Sequence, residues 1–210
     1  LIRVLIVDDH AIVRQGLRRI LEEAHGITVG GEAANGIEAL KMMRSEKWDV
    51  VLLDISMPHK NGMDTLKQIM TDNREAKVLI LSMYPEDQYA VRLLKSGASG
   101  YLTKETAPEQ LVEAILRVAD NKKHISPSLA ELLLTECSLD ATKRPHEILS
   151  NREYQVLRAI GSGKNVSEIA ATLALSVKTV STYRAHILDK MKLKNNAELT
   201  HYVMQNGLSE

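Results

Sequence analysis

Up to about residue 120 the chain alternates between two kinds of apolar pattern. Short, β-branched runs occur at Ile2–Val7, Ile27–Ala33, Val50–Leu53, Val78–Ser82 and Gly100–Thr103. Runs this short and this apolar read as strands, and the four residues of Val50–Leu53 as a strand buried on both faces. Between them lie stretches with the spacing of amphipathic helices, near Ala11–Ala24, Ile37–Arg44, Met63–Thr71, Glu86–Ser96 and Pro108–Asp120. In the last of these Pro108 suits the first turn, Thr106 lies near the cap, and Leu111, Ile115 and Val118 make an apolar stripe. Strands that alternate with helices predict a parallel sheet with right-handed crossovers. The expected fold of residues 1–120 is therefore α/β, a doubly wound five-stranded parallel sheet with its post-strand loops along one edge.

The pattern then changes. Residues 121–147 lose the alternation: Asn121 to His124 is polar, Pro127–Leu134 suits one short helix, and Asp140 to Glu147 is charged around Pro145. This reads as a linker holding one short helix. From 148 to 210 the period is helical throughout. Ser150 and Glu153 have capping-box spacing ahead of the apolar Tyr154, Val156, Leu157 and Ile160, and Gly161-Ser162-Gly163 stops that helix. A short helix follows at Val166–Leu173, then Ser176 as the cap of a longer one at Val177–Met191, then a fourth at Ala197–Gln205. A short helix, a tight turn and a longer helix that starts with polar residues is the helix-turn-helix pattern, so the second domain is expected to be all-α with four helices.

Charge adds little to this picture. The net charge is zero, but residues 1–120 carry 15 Lys/Arg against 18 Asp/Glu and residues 146–210 carry 8 against 6. The second part tolerates a polyanion better than the first, although charge alone does not establish nucleic-acid binding. One cysteine, Cys137, excludes an internal disulfide and has no histidine cluster around it for zinc, which makes a reducing, cytoplasmic setting the default. The opening Leu1-Ile-Arg-Val-Leu-Ile-Val is broken by Arg3 and stopped by two aspartates, which fits neither a signal peptide nor a membrane span. Leu1 in place of methionine suggests that residues precede it.

Candidate chemistry lies at the strand ends: Asp8 and Asp9 after the first strand, Asp54 after the third, Ser82 at the fourth and Lys104 after the fifth. Parallel strands bring these groups to one edge. Taken singly, each has a bland role: Asp8-Asp9 as a helix cap, Asp54 as a cap for the turn from Pro58 to Gly62, Ser82 as an ordinary strand end. Together, three carboxylates repel one another unless a hard cation joins them, and Mg²⁺ takes carboxylates, waters and phosphate oxygens. Carboxylate, Mg²⁺ and lysine form a phosphoryl-transfer set in which an aspartate can itself be the nucleophile.

Asp8-Asp9, the stretch Asp54 to Gly62, Ser82, and Gly100 to Lys104 resemble the receiver domain of two-component response regulators. Leu149 to Glu153, Ala170, Val177 to Val180 and Lys190 to Leu193 are similar to the DNA-binding domain of the NarL/LuxR-type subfamily. The resemblance implies that Asp54 is phosphorylated by a partner sensor histidine kinase, with Mg²⁺ held by Asp8, Asp9, Asp54 and the backbone carbonyl of Ser56. It further implies that Lys104 holds the phosphoryl oxygens, that Ser82 moves its hydroxyl onto them and that Tyr101 rotates in response. Its output is double-stranded DNA bound by a homodimer formed on phosphorylation. Two departures matter. Glu105 follows Lys104 where many receivers have proline, which argues against a cis bond that costs about 3 kcal/mol without proline. Tyr101 carries a hydroxyl, which is expected to keep it partly wet even when turned inward.

Two other functions fit the same residues: a phosphohydrolase working through an aspartyl phosphate, and a receiver that is never phosphorylated and acts as a constitutive binding module. The first lacks a second aspartate two residues after Asp54, where Ser56 stands, and the second leaves the complete acid–lysine set unexplained.

In the helix Val177–Met191, the residues Lys178, Thr179, Ser181, Thr182, Arg184 and Ala185 fall near the outer side, and Val177, Val180, Ile187 and Leu188 are assigned to the core. The outer set is either a solvated face or the face that enters the major groove. His186 and His201 read as packing or surface residues. In the last helix Ala197, Leu199, Tyr202 and Val203 provide apolar surface beyond the needs of a three-helix core, which makes them dimer-contact candidates.

Overall fold

The computed structural model describes residues 1–57, 62–106, 108–138 and 145–208, and the chain divides into two compact units, Leu1–Thr135 and Glu136–Glu210. In the first, five strands, β1 (Ile2–Val7), β2 (Ile27–Ala33), β3 (Val50–Asp54), β4 (Val78–Ser82) and β5 (Gly100–Thr103), form one all-parallel sheet in the order β2-β1-β3-β4-β5. Helices α1 (Ala11–Glu23), α2 (Gly36–Ser45), α3 (Gly62–Asp72), α4 (Glu86–Lys95) and α5 (Pro108–Ala119) follow the strands in turn. Every residue of β3, the central strand, and of its neighbour β4 is buried, because these interior strands have helices over both faces. One side of the sheet packs Val4, Ile6, Leu52 and Leu79 on Leu17 and Leu21 of α1 and on Leu111, Ala114, Ile115 and Val118 of α5.

Local capping agrees with these bounds. Asn35 caps α2 by accepting from Ile37 N and Glu38 N. Trp48, the single tryptophan, lies before β3 with the Arg3 guanidinium 4.5 Å over its ring. It is therefore a reporter near the sheet edge remote from the carboxyl ends.

The compact unit runs past residue 120. His124 N donates to Ser99 O at 2.9 Å, and His124 forms an isolated parallel bridge with Gly100 at the sheet margin. Ser126 caps the next helix, α6 (Pro127–Ser138), through Leu129 N, and both Ser126 and Ser128 donate to Glu86 at the start of α4. The first part of the segment read as linker is thus hydrogen-bonded to the sheet unit, while 139–144 and the turn at 58–61 lie outside the described residues.

The second unit holds α7 (Asn151–Gly161), α8 (Val166–Thr172), α9 (Val177–Met191) and α10 (Asn196–Gln205) after a short 3-10 turn at Pro145–Ile148. The capping box forms as its spacing requires: Glu153 N donates to Ser150 Oγ and Ser150 N to Glu153 Oε2. Lys190 Nζ, 2.7 Å from the same carboxylate, ties α9 to the start of α7.

Two expectations for this unit fail. Val177 is 51% exposed and does not join the core, because in the first turn of α9 it faces outward while Val180 and Ile187 face inward. Leu199 and Val203 are fully buried: they line the side of α10 that packs on α7, where Val203 fills the space beside Gly161. They cannot be dimer contacts, whereas Ala197 is exposed and Tyr202 half-buried.

Candidate functional site

The strand order decides which ends meet. β1 and β3 are neighbours, so Asp8, just after β1, stands beside Asp54, the last residue of β3; β4 and β5 bring Ser82 and Lys104 to the same edge. Lys104 Nζ lies 2.6 Å from Asp8 Oδ2 and 3.0 Å from Asp54 Oδ2, a bridge between residues 96 and 50 positions apart. Its backbone N–H donates to Ser82 O at 2.7 Å, which anchors the residue to β4. Asp54 is 1% exposed, and its Oδ1 accepts from Ser56 N at 3.0 Å.

Burial pushes the Asp54 carboxyl above its ordinary range, against the pull of Lys104 and the Ser56 N–H. For Lys104 burial acts downward, but Asp8 and Asp54 outweigh it and the ammonium is held above its usual value. The lysine is therefore a fixed positive charge between two acids, Asp8 and Asp54.

Asp9 supplies the remaining carboxylate. Its Oδ1 is buried without a hydrogen bond, with the His10 ring Nδ1 3.1 Å away at ion-pair distance, an arrangement that a bound cation would stabilise. Asp8, Asp9, His10 and Asp54 each offer a donor atom, all within 4.8 Å of one another. A set rich in hard oxygen donors, one of them unsatisfied, fits Mg²⁺. Two contributors were not picked out in the sequence. His10, next to the aspartates, donates its N–H to Asp8 Oδ1 at 2.8 Å. Arg14, one helical turn later, donates from Nη1 to the Asp8 carbonyl at 2.7 Å and pairs with Glu32 through Nε. That spacing was the available signal for Arg14, although only the fold shows the carbonyl it reaches.

Ser82 is fully buried, and its Oγ accepts from Tyr84 N at 3.0 Å. Tyr101 is also fully buried, with its hydroxyl donating to the Tyr84 carbonyl at 2.6 Å. The phenol is thus dry, contrary to the expectation of a partly wet tyrosine, because a main-chain acceptor takes the place of water. Burial pushes its pKa up to about 12, against a downward pull from Ser82. There is no cis peptide among the described residues.

In the second unit α8 starts on a capping box made by Asn165 and Glu168, and Ser176 caps α9 by accepting from Thr179 N at 3.0 Å. Between them Ala174 takes φ 51°, which closes the tight turn. Lys178, Ser181, Thr182 and Ala185 are exposed along the outer face of α9. Thr179 is half-buried with its hydroxyl on Ser176, and Arg184, also half-buried, donates to Asn196 Oδ1. His186 and His201 are exposed.

Residues 4–116 match the family described as response regulator receiver domain, and residues 147–203 match bacterial regulatory proteins, luxR family. The chain is a response regulator of the luxR type. The regulator is 38% identical over 209 residues to the response regulator UvrY of Escherichia coli, covering 99% of this chain and 96% of that one. It is 36% identical to the response regulator GacA of Pseudomonas aeruginosa, with 99% and 98% covered. Among solved structures it is similar to RcsB of Salmonella enterica bound to promoter DNA in the presence of a phosphomimetic, at 26% identity, TM-score 0.62 and coverage of 97% and 98%. A luxR-family response regulator from Aurantimonas is 34% identical, with TM-score 0.60 over 65% of this chain and 97% of that one. The luxR-type family is one of transcription regulators and not of enzymes, which removes the phosphohydrolase reading. Among the described residues no helix is long and apolar enough to cross a membrane.

Proposed function

We propose that this regulator is switched by phosphorylation of Asp54 by a sensor histidine kinase and that the switch controls its binding to double-stranded DNA. The observation that carries the reading is the buried Asp54 carboxylate, bridged by Lys104 to Asp8 beside the unsatisfied Asp9 oxygen. In the transfer a carboxylate oxygen of Asp54 forms a bond to phosphorus as the N–P bond of the donor phosphohistidine breaks and the imidazole leaves. Asp8, Asp9, Asp54 and the Ser56 carbonyl would hold Mg²⁺. When bound, Mg²⁺ supplies charge neutralisation at the phosphoryl oxygens. Lys104 orients Asp54 before transfer and turns to the new oxygens after it.

Ser82 couples the site to the rest of the unit. When its hydroxyl moves onto the phosphoryl group it releases the Tyr84 N–H, and Tyr84 carries the carbonyl that holds Tyr101. The change is a population shift, since the phosphoryl group favours the state in which Ser82 reaches it. The output is a cytoplasmic homodimer that lays α9 in the major groove. Lys178, Thr179, Ser181, Thr182, Arg184 and Ala185 contact DNA, and Ala197 and Tyr202 contribute to the dimer. The RcsB structures with DNA, including one of two dimers on two parallel DNAs, support this reading, as does the exposed face of α9.

Intact-mass measurement after incubation with a small phosphodonor and Mg²⁺ tests the proposal. One acid-stable, base-labile phosphate adduct that disappears in Asp54→Asn is expected. An adduct that survives the substitution, or none with any donor, would refute it.

A further inference from the structure

His10 is the nitrogen-bearing member of the acidic cluster. It occupies the N-cap position of α1 yet makes no side-chain cap hydrogen bond, so the usual reason for a polar residue there does not apply. Its Nδ1 instead lies 3.3 Å from Asp8 Oδ1, a hydrogen bond when that nitrogen carries the proton, and 3.1 Å from Asp9 Oδ1. Around a six-coordinate cation with bonds of about 2.1 Å, adjacent donors stand about 3.0 Å apart and opposite donors about 4.2 Å. The ring nitrogen is thus already at the spacing of an adjacent ligand to both aspartates. The hydrogen bond from His10 N to Asp8 Oδ1 fixes the backbone beside the site, while the side chain, 64% exposed, turns without disturbing the core. Asp9 Oδ1 stands at ion-pair distance from Nδ1 without a hydrogen bond to it, so only the contact of Nδ1 to Asp8 has to give way to an ion.

We propose that His10 Nδ1 ligates a divalent ion together with Asp8 and Asp9, so that this phosphorylation site takes borderline transition ions such as Co²⁺ and Ni²⁺ more tightly than Mg²⁺. Imidazole suits these ions, and an all-oxygen set suits Mg²⁺. The inference rests on the Mg²⁺ reading of the acidic cluster. Its consequence is selectivity: the kind of ion available, as well as the kinase, decides how readily Asp54 is charged.

The test uses the full chain as wild type, His10→Ala and Asp9→Asn, with Co²⁺ and Mg²⁺ binding measured by equilibrium dialysis at one fixed pH. His10→Ala is expected to weaken Co²⁺ about tenfold or more while Mg²⁺ shifts by less than about twofold. Co²⁺-loaded wild type should also show a hyperfine-shifted, exchangeable imidazole N–H proton resonance that is missing in both variants. Equal weakening of the two ions in His10→Ala, or a shifted resonance that persists there, overturns the role of His10. If Asp9→Asn leaves Mg²⁺ binding intact, the acidic-cluster reading falls first and the inference with it.

Discussion

Gly62 is where the packing of the sheet unit and the chemistry of Asp54 depend on the same atoms. A Cβ at this position would lie 2.0 Å from the Asp54 carbonyl oxygen, 2.5 Å from Ile55 Cα and 2.8 Å from the Asp54 carbonyl carbon. Ordinary contact begins near 3.4 Å, so Gly62→Ala is about 1.4 Å too close to the worst of them. None of the three atoms belongs to a flexible side chain. Asp54 is paired with Leu81 of β4, and Leu53 is held by both Val7 and Ile80, which leaves the strand little room to yield. The entrance to α3 must move instead, against the buried Met63, Leu66 and Ile69. Overpacking of this kind costs about 1–3 kcal/mol. A displacement near 1 Å at a reacting group lowers rates by about a hundredfold. Urea unfolding followed by Trp48 fluorescence measures the first effect, and the rate of adduct formation from a small phosphodonor measures the second. Gly16→Ala is the control, since a Cβ there meets nothing within 4 Å in the middle of α1 and should stabilise by about 0.5–1 kcal/mol. Should Gly62→Ala unfold within about 0.5 kcal/mol of wild type and phosphorylate at the normal rate, the α3 entrance does not set the position of Asp54.

Three further outcomes are expected. Because burial raises the Tyr101 pKa to about 12 from an ordinary value near 10, its contribution to stability is complete below about pH 10 and is lost as the pH rises through about 12. Alkaline unfolding with tyrosinate absorbance should therefore show a steeper loss in wild type than in Tyr101→Phe. Glu153 resists the upward push of burial because Lys190 and Ser150 hold its carboxylate, and its pKa is lowered overall. Its contribution is thus present above the unfolded value of about 4.3 and lost as the pH falls through the folded one, so Glu153→Gln should flatten acid unfolding of the α7–α10 unit and cost about 1.5–3 kcal/mol at neutral pH. If Lys178 meets a phosphate, Lys178→Ala lowers the slope of log affinity against log salt by about one for random and specific duplexes alike; an unchanged slope places it off the backbone.

Much of this molecule is legible in its sequence because burial and hydrogen bonding impose local periods. The five strand runs, the alternating helices and the Ser150–Glu153 box occupy nearly their expected residues, with ends shifted by one or two positions where capping is local. The gathering of Asp8, Asp54, Ser82 and Lys104 at one edge also follows from parallel strands alone. Tertiary structure decided what periodicity cannot express, namely which neighbour covers a given face. Val177 and Val180 look alike as apolar residues three apart, yet the first turn of α9 leaves one exposed while the other is fully covered. Leu199 and Val203 looked like spare apolar surface until α7 proved to occupy that side of α10. The dry Tyr101 hydroxyl depends on a carbonyl 17 residues away, and the Lys104 bridge on an aspartate 96 residues away. A sequence specifies which groups need partners; distances of 2.6 Å between remote residues exist only once the strand order has been chosen.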